Sequence, residues 1–183
     1  NMYELVPFWH KFFSELGFGV VVSPFSTREL YLEGQYSIPS DTVCFPAKML
    51  HGHVEYLKEK QVDAVFYPCM SFNFDEGLGD NNYNCPVVAY YPEVIAANMK
   101  FPGRTRLISD YVGPHKRKFF PEKMTELLGR YFDGVELKAV KRASDLAFKE
   151  RDLFLGRVRK KAEEIVALAR KEGRRIIVLA GRP

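Results

Sequence analysis

Asp63-Ala64-Val65-Phe66-Tyr67-Pro68-Cys69 is the stretch on which the fold turns. Its apolar centre is continuous, too short for a helix and halted by Pro68, which is the pattern of a strand buried on both faces. Before it, a helix is expected from Phe45 or Pro46 to Glu59. Ala47, Leu50, Val54 and Leu57 recur on one face of it, and Pro46 suits a first turn. After it, residues 72–84 are rich in Gly, Asn and Asp and read as a long loop. The apolar run 86–90 reads as a second strand, 92–97 as the start of a helix, and 105–109 as a third strand.

Toward the amino end, residues 1–4 read as the end of a strand. Residues 6–16 read as a helix carrying Phe8, Phe12, Phe13 and Leu16 and stopped by Gly17. A strand is expected at 18–23. A helix is expected at 26–33, with Ser26 and Glu29 as a capping box and Gly34 as its stop. Toward the carboxyl end follow a helix at 121–131, a long helical stretch at 136–172 with a break near Gly156 and a stop at Gly173, and a buried strand at 176–180. Short apolar strands alternating with helices indicate an α/β fold with a mostly parallel sheet covered on both faces, plus a long C-terminal helical segment. Ligands in such sheets gather beyond the carboxyl ends of the strands. A last strand followed by the first residues of a turn, and an opening without an initiator methionine, read as a piece of a longer protein.

The chain has 183 residues, 46% apolar and 27% charged. That is too apolar for a collagen-like, mucin-like or disordered chain, and enough for a core without disulfides. No apolar run approaches the length of a bilayer span, so no membrane partner is expected. The net charge is +4, and its basic residues concentrate between Lys138 and Arg175. Acidic residues interleave there at helical spacing, so the stretch reads as a solvated helix rather than a nucleic-acid face. Three cysteines cannot all pair internally, and no secretion signal is visible, so a reducing cytoplasm is expected.

The cysteines carry the chemistry. Cys44 stands just before a helix, Cys69 just after a strand, and Cys85 at the end of the long loop, each within two residues of a proline. A thiolate at a helix N-terminus is stabilised by the helix dipole, which suits Cys44. Three converging thiolates suit an iron–sulfur cluster or zinc, although spacings of 25 and 16 residues match no local cluster motif. Three unrelated packed thiols fit the spacing as well. His51 and His53 are too close along a helix to share an ion. One of them near Cys44 would complete a zinc site, while hydrogen-bonded helix histidines are the simpler reading. His10 and His115 have no evident partner. No phosphate-binding glycine motif and no nucleophile elbow is present.

Several blocks stand in order: Asn1-Met2-Tyr3-Glu4 with Pro7-Phe8-Trp9-His10; Ile38-Pro39-Ser40-Asp41-Thr42-Val43-Cys44-Phe45-Pro46-Ala47-Lys48; His51-Gly52-His53; Phe66-Tyr67-Pro68-Cys69; Asn84-Cys85-Pro86-Val87-Val88; and Leu179-Ala180-Gly181-Arg182-Pro183. Together they resemble the uncharacterised domain of CoA-substrate-specific enzyme activases, along essentially the whole chain. Such proteins join an ATPase of the 2-hydroxyglutaryl-CoA dehydratase activator type to a region similar to the dehydratase component. The resemblance implies a Rossmann-like three-layer cluster-binding domain over 1–135, with 136–183 as a long helix and strand leading into a second half. It implies a [4Fe-4S] cluster on Cys44, Cys69 and Cys85, open at one iron and empty in a fragment purified in air. Thr42, Lys48, Tyr67 and Asn84 would surround it. ATP would bind only a separate ATPase domain, which with a CoA thioester is the implied partner; a homodimer of the intact protein stays open. A non-redox module docking that ATPase domain or a CoA-type ligand is the alternative.

Overall fold

The structure, a computed structural model, describes residues 2–77, 79–101 and 103–179. Among these the elements are α1 (Met2–Glu15), α2 (Arg28–Gly34), a 3-10 turn (Gln35–Ser37), α3 (Phe45–Glu59), β1 (Ala64–Phe66), α4 (Pro86–Asn98), β2 (Arg106–Ile108), α5 (Phe120–Gly129) and α6 (Leu137–Lys171). They fall into two compact units, Asn1–Val20 with Glu136–Pro183, and Val21–Val135. No helix among the described residues is long and apolar enough to cross a membrane.

In the first unit α1 lies antiparallel on α6. Leu5, Phe8 and Phe12 recur at helical spacing and are buried, and Phe8 meets Phe148 at 4.9 Å between ring centroids. Glu4 faces Arg151 at 3.7 Å. The strand end read at 1–4 is a helix from Met2, outside whose bounds Asn1 is not described. Both helices stop as their glycines indicate. Gly17 and Gly173 take left-handed φ of 87° and 65°. The amides after them reach back to Phe13 O at 3.1 Å and Ala169 O at 2.9 Å, the Schellman pattern. Gly156 does not break α6.

In the second unit β1 and β2 pair in parallel, with Val65 opposite Leu107, and α4 forms the crossover between them. The pairing runs on through Cys69 N to Asp110 O at 3.0 Å and Val112 N to Cys69 O at 3.2 Å. Ala47 and Val54 of α3 pack with Tyr91 and Ile95 of α4 and with Met99 at its C-cap, and Tyr67 and Leu107 close onto that core. α2 begins one residue later than the capping box indicates: Thr27, not Ser26, caps it by accepting from Leu30 N at 3.2 Å.

The sheet is smaller than the sequence indicates, and the unit is helix-rich rather than a full three-layer Rossmann domain. Residues 86–90 open α4 instead of forming a strand. Pro86 takes the first helical position, and Tyr91, Ile95 and Met99 then bury at fourfold spacing. A short apolar run is compatible with either element until its neighbours are counted. Residues 18–23 are irregular, with Val21 and Val22 nearly half exposed, and no strand among the described residues pairs with them. Residues 176–179 are likewise irregular, Leu179 being 97% exposed, and residues 180–183 lie outside the described residues.

Candidate functional site

Two of the three cysteines cap helices. Cys44 precedes α3 and Cys85 precedes α4, each with an extended backbone (φ −61° and −63°). Their carbonyls accept the first helical bonds: Cys44 O from Ala47 N at 3.0 Å, Cys85 O from Ala89 N at 3.0 Å. Neither side chain makes a capping bond, so both sulfurs are left for other chemistry beside the positive ends of helix dipoles. Cys69 differs. It continues β1, bridges to Tyr111 and is only 1% exposed. Burial, with the Glu93 carboxylate, pushes its thiol up to about 11, although the Glu93 amide and the Tyr111 hydroxyl favour the thiolate. Tyr111 donates to Glu93 Oε1 at 2.5 Å, and that bond leads the causes that push its phenol to about 12.

Two tyrosines feel the cysteines electrostatically. Burial holds the Tyr67 phenol far above its ordinary range, and Cys69, Tyr91 and Cys85 add to the effect. Tyr91 is raised by burial and then by Cys44. Tyr91 belongs to the buried core of α3 and α4, and Tyr67 packs against that core. Asn84 ties two of the turns together, donating from Nδ2 to Met70 O at 2.8 Å and from its backbone amide to Ser71 O at 2.9 Å. It thereby holds the turn of Cys85 against the chain that leaves Cys69. Lys48 donates to Asp41 O at 2.8 Å and Thr42 bonds Ser40, both shaping the turn that carries Cys44. Among the described residues, no three His, Cys, Asp or Glu side chains are grouped closely enough to hold a metal ion.

His51 and His53 are held in hydrogen bonds. Ser37 Oγ donates to Gly34 O at 2.9 Å, so it accepts from His51 Nδ1 at 2.7 Å, and His51 Nε2 accepts from the Tyr91 hydroxyl at 2.9 Å. With both nitrogens engaged, His51 has no lone pair for the zinc site considered above. His53 bonds Ser23 Oγ at 2.8 Å and Ser26 Oγ at 3.0 Å. Spacing alone did not single out Tyr91, Glu93 or Tyr111, because their relation to the cysteines arises from α4 and β2 meeting β1.

Burial lowers the pKa of His51, His53 and His115. Each is held neutral in the fold and protonates more readily when unfolded. Stability is therefore full above the ordinary value of 6.5 and is lost as pH falls through the folded values. Thermal melts should show a midpoint that drops between pH 7 and 5, and His51→Gln should flatten that slope. A midpoint rising on acidification would contradict the assignment.

Comparison with known proteins gives one match. A family model described as the CoA enzyme activase uncharacterised domain matches residues 1–183. No curated protein and no solved structure matches the chain.

Proposed function

The chain belongs to the family of the CoA enzyme activase uncharacterised domain, and from that premise we propose that it is an iron–sulfur electron-transfer module of an ATP-driven, 2-hydroxyacyl-CoA dehydratase-type activating system. The features that support the reading are two thiols at helix N-termini, Cys44 and Cys85, and the Asn84 bonds to Met70 O and Ser71 O that tie the turn of Cys85 to the chain leaving Cys69. The donor set suits a [4Fe-4S] cluster, which takes cysteine thiolates. When bound, such a cluster supplies one-electron transfer at a potential tuned by burial and by hydrogen bonds to its sulfurs.

The chain's own residues would bind and shield it. Cys44 and Cys85 offer thiols beside helix N-termini, where negative charge is stabilised. Cys69 offers a thiol beside the Glu93 amide and the Tyr111 hydroxyl, both of which favour its charged form. ATP would be handled by an ATPase domain, as a partner in the cytoplasm, and a CoA thioester would be the substrate class.

Anaerobic reconstitution with iron and sulfide, followed by iron and sulfide analysis and EPR, tests this. Bound cluster is expected in the wild-type chain, with loss in Cys69→Ala and Cys44→Ala. No cluster in the wild-type chain, or an identical spectrum in both variants, would overturn it. The absence of a three-donor group among the described residues favours a second reading, a redox-inactive docking module. Saturable binding of a CoA thioester or of the ATPase domain, unchanged when all three cysteines are replaced, is its signature.

A further inference from the structure

The buried stripe of α6 continues past the helix that covers it. Against α1, the residues Val140, Ala143, Ser144, Ala147, Phe148 and Arg151 are buried. The same three- and four-residue spacing then carries on through Leu155, Val158, Ala162, Ile165 and Ala169. Here Val158 is 50% and Ile165 57% exposed. The lengths explain why. α1 has 14 residues and spans about 21 Å, whereas α6 has 35 and spans about 52 Å. Roughly 30 Å of one continuous packing stripe therefore runs on beyond α1.

We infer that residues 155–169 of α6 are a docking surface for an amphipathic partner helix with acidic flanks, laid antiparallel to α6 and in line with α1.

Continuity with the α1 interface gives the orientation, and charge gives the partner's chemistry. Where α1 covers α6, acidic residues of α1 face arginines of α6. Glu4 meets Arg151 at 3.7 Å. Glu15, bonded first by Lys11, also feels Arg142. Beyond α1, the stripe is flanked by Arg159 and Arg170 on one side and by Arg157 and Lys161 on the other, from the helical angle of each position. Between residues 153 and 175 stand eight Lys or Arg against three Glu, an excess above the chain's whole net charge of +4. A second copy of α6 would bring like charges together along the seam. Small Ala162 and Ala169 lie near the middle of the apolar face, where a helix backbone can approach closely. The inference stands whether or not the cysteines hold a cluster.

The test uses the whole chain and a labelled three-heptad helical peptide with Leu at the seam positions and Glu at the flanks. A matched peptide with Lys flanks is the control. Fluorescence anisotropy should show saturable binding of the acidic peptide that weakens with salt, and about tenfold weaker binding of the Lys peptide. Ile165→Glu with Val158→Glu should weaken it by a further tenfold or more at an unchanged thermal midpoint, since both positions are exposed. Sedimentation and vesicle flotation decide the rivals. A dimer of the chain that Ile165→Glu dissolves would assign the stripe to a second copy. Flotation with phosphatidylserine vesicles without peptide binding would assign it to a membrane surface. Equal binding of both peptides would also overturn the inference.

Discussion

Gly52→Ala is expected to unfold the second unit at markedly lower denaturant than the wild-type chain. Two glycines let α2 and α3 cross with backbones touching. A Cβ on Gly52 would stand 1.8 Å from Leu30 O, and one on Gly34 would stand 2.1 Å from Gly52 N. The obstructing atoms are main chain on both sides, so no rotamer change relieves the clash and the helices must separate. Overpacking of this kind costs about 3 kcal/mol or more. Separation also pulls Ser37 from His51, which opens the buried chain from Gly34 O through Ser37 and His51 to Tyr91. Each buried group left unpaired adds a cost of about 1–3 kcal/mol. Gly129→Ala is the control: nothing lies within 4 Å of its added Cβ. Its helical position predicts a gain of about 0.5 kcal/mol. Circular dichroism in a urea titration measures both. A Gly52→Ala midpoint equal to wild type would show that α2 and α3 do not cross as described.

That crossing also marks where sequence reading stops. Local signals served well wherever the deciding neighbours are close in the chain. Pro46 with the spacing Ala47, Leu50 and Val54 gives α3, Gly17 and Gly173 give helix ends, and Pro68 gives the end of β1. Gly52 carries no such signal, because a glycine inside a helix reads as a weak point rather than a contact. Residues 86–90 failed for the same reason in reverse. Their apolar run has the composition of a strand, and only Tyr91, Ile95 and Met99 meeting Ala47 and Val54 decides for a helix. The strands at 18–23 and 176–180 were read from composition, yet a strand exists only with a partner beside it. At the site, the placement of Cys44 before a helix and Cys69 after a strand was legible. The tie between the turn of Cys85 and the chain leaving Cys69 was not, since it rests on Asn84 bonding Met70 and Ser71 across the long loop. His51 is hydrogen-bonded as a helix histidine, and the partners that make it so, Ser37 and Tyr91, lie 14 and 40 residues away.

Thiol alkylation should separate the three cysteines by orders of magnitude in rate. The thiolate is the reacting species, and it must also be reached. Cys44 is exposed and Cys85 partly so, whereas Cys69 is buried. With its thiol pushed up to about 11, Cys69 holds roughly one thiolate in a thousand at pH 8, against about a quarter for an ordinary cysteine. That alone slows it roughly a few hundredfold, and burial slows it further. Brief iodoacetamide treatment of the native chain, read by peptide mass spectrometry, should therefore modify Cys44 first and leave Cys69 intact. In urea all three should react alike, because the difference belongs to the fold. Rapid labelling of Cys69 in the native chain would mean that the segment after β1 opens readily. It would then not be held by the Asp110 and Val112 ladder bonds that now fix its backbone. The contrast bears on the site's chemistry. The two helix-capping thiols are reachable from solvent, while Cys69 is a core group that burial holds in its protonated form.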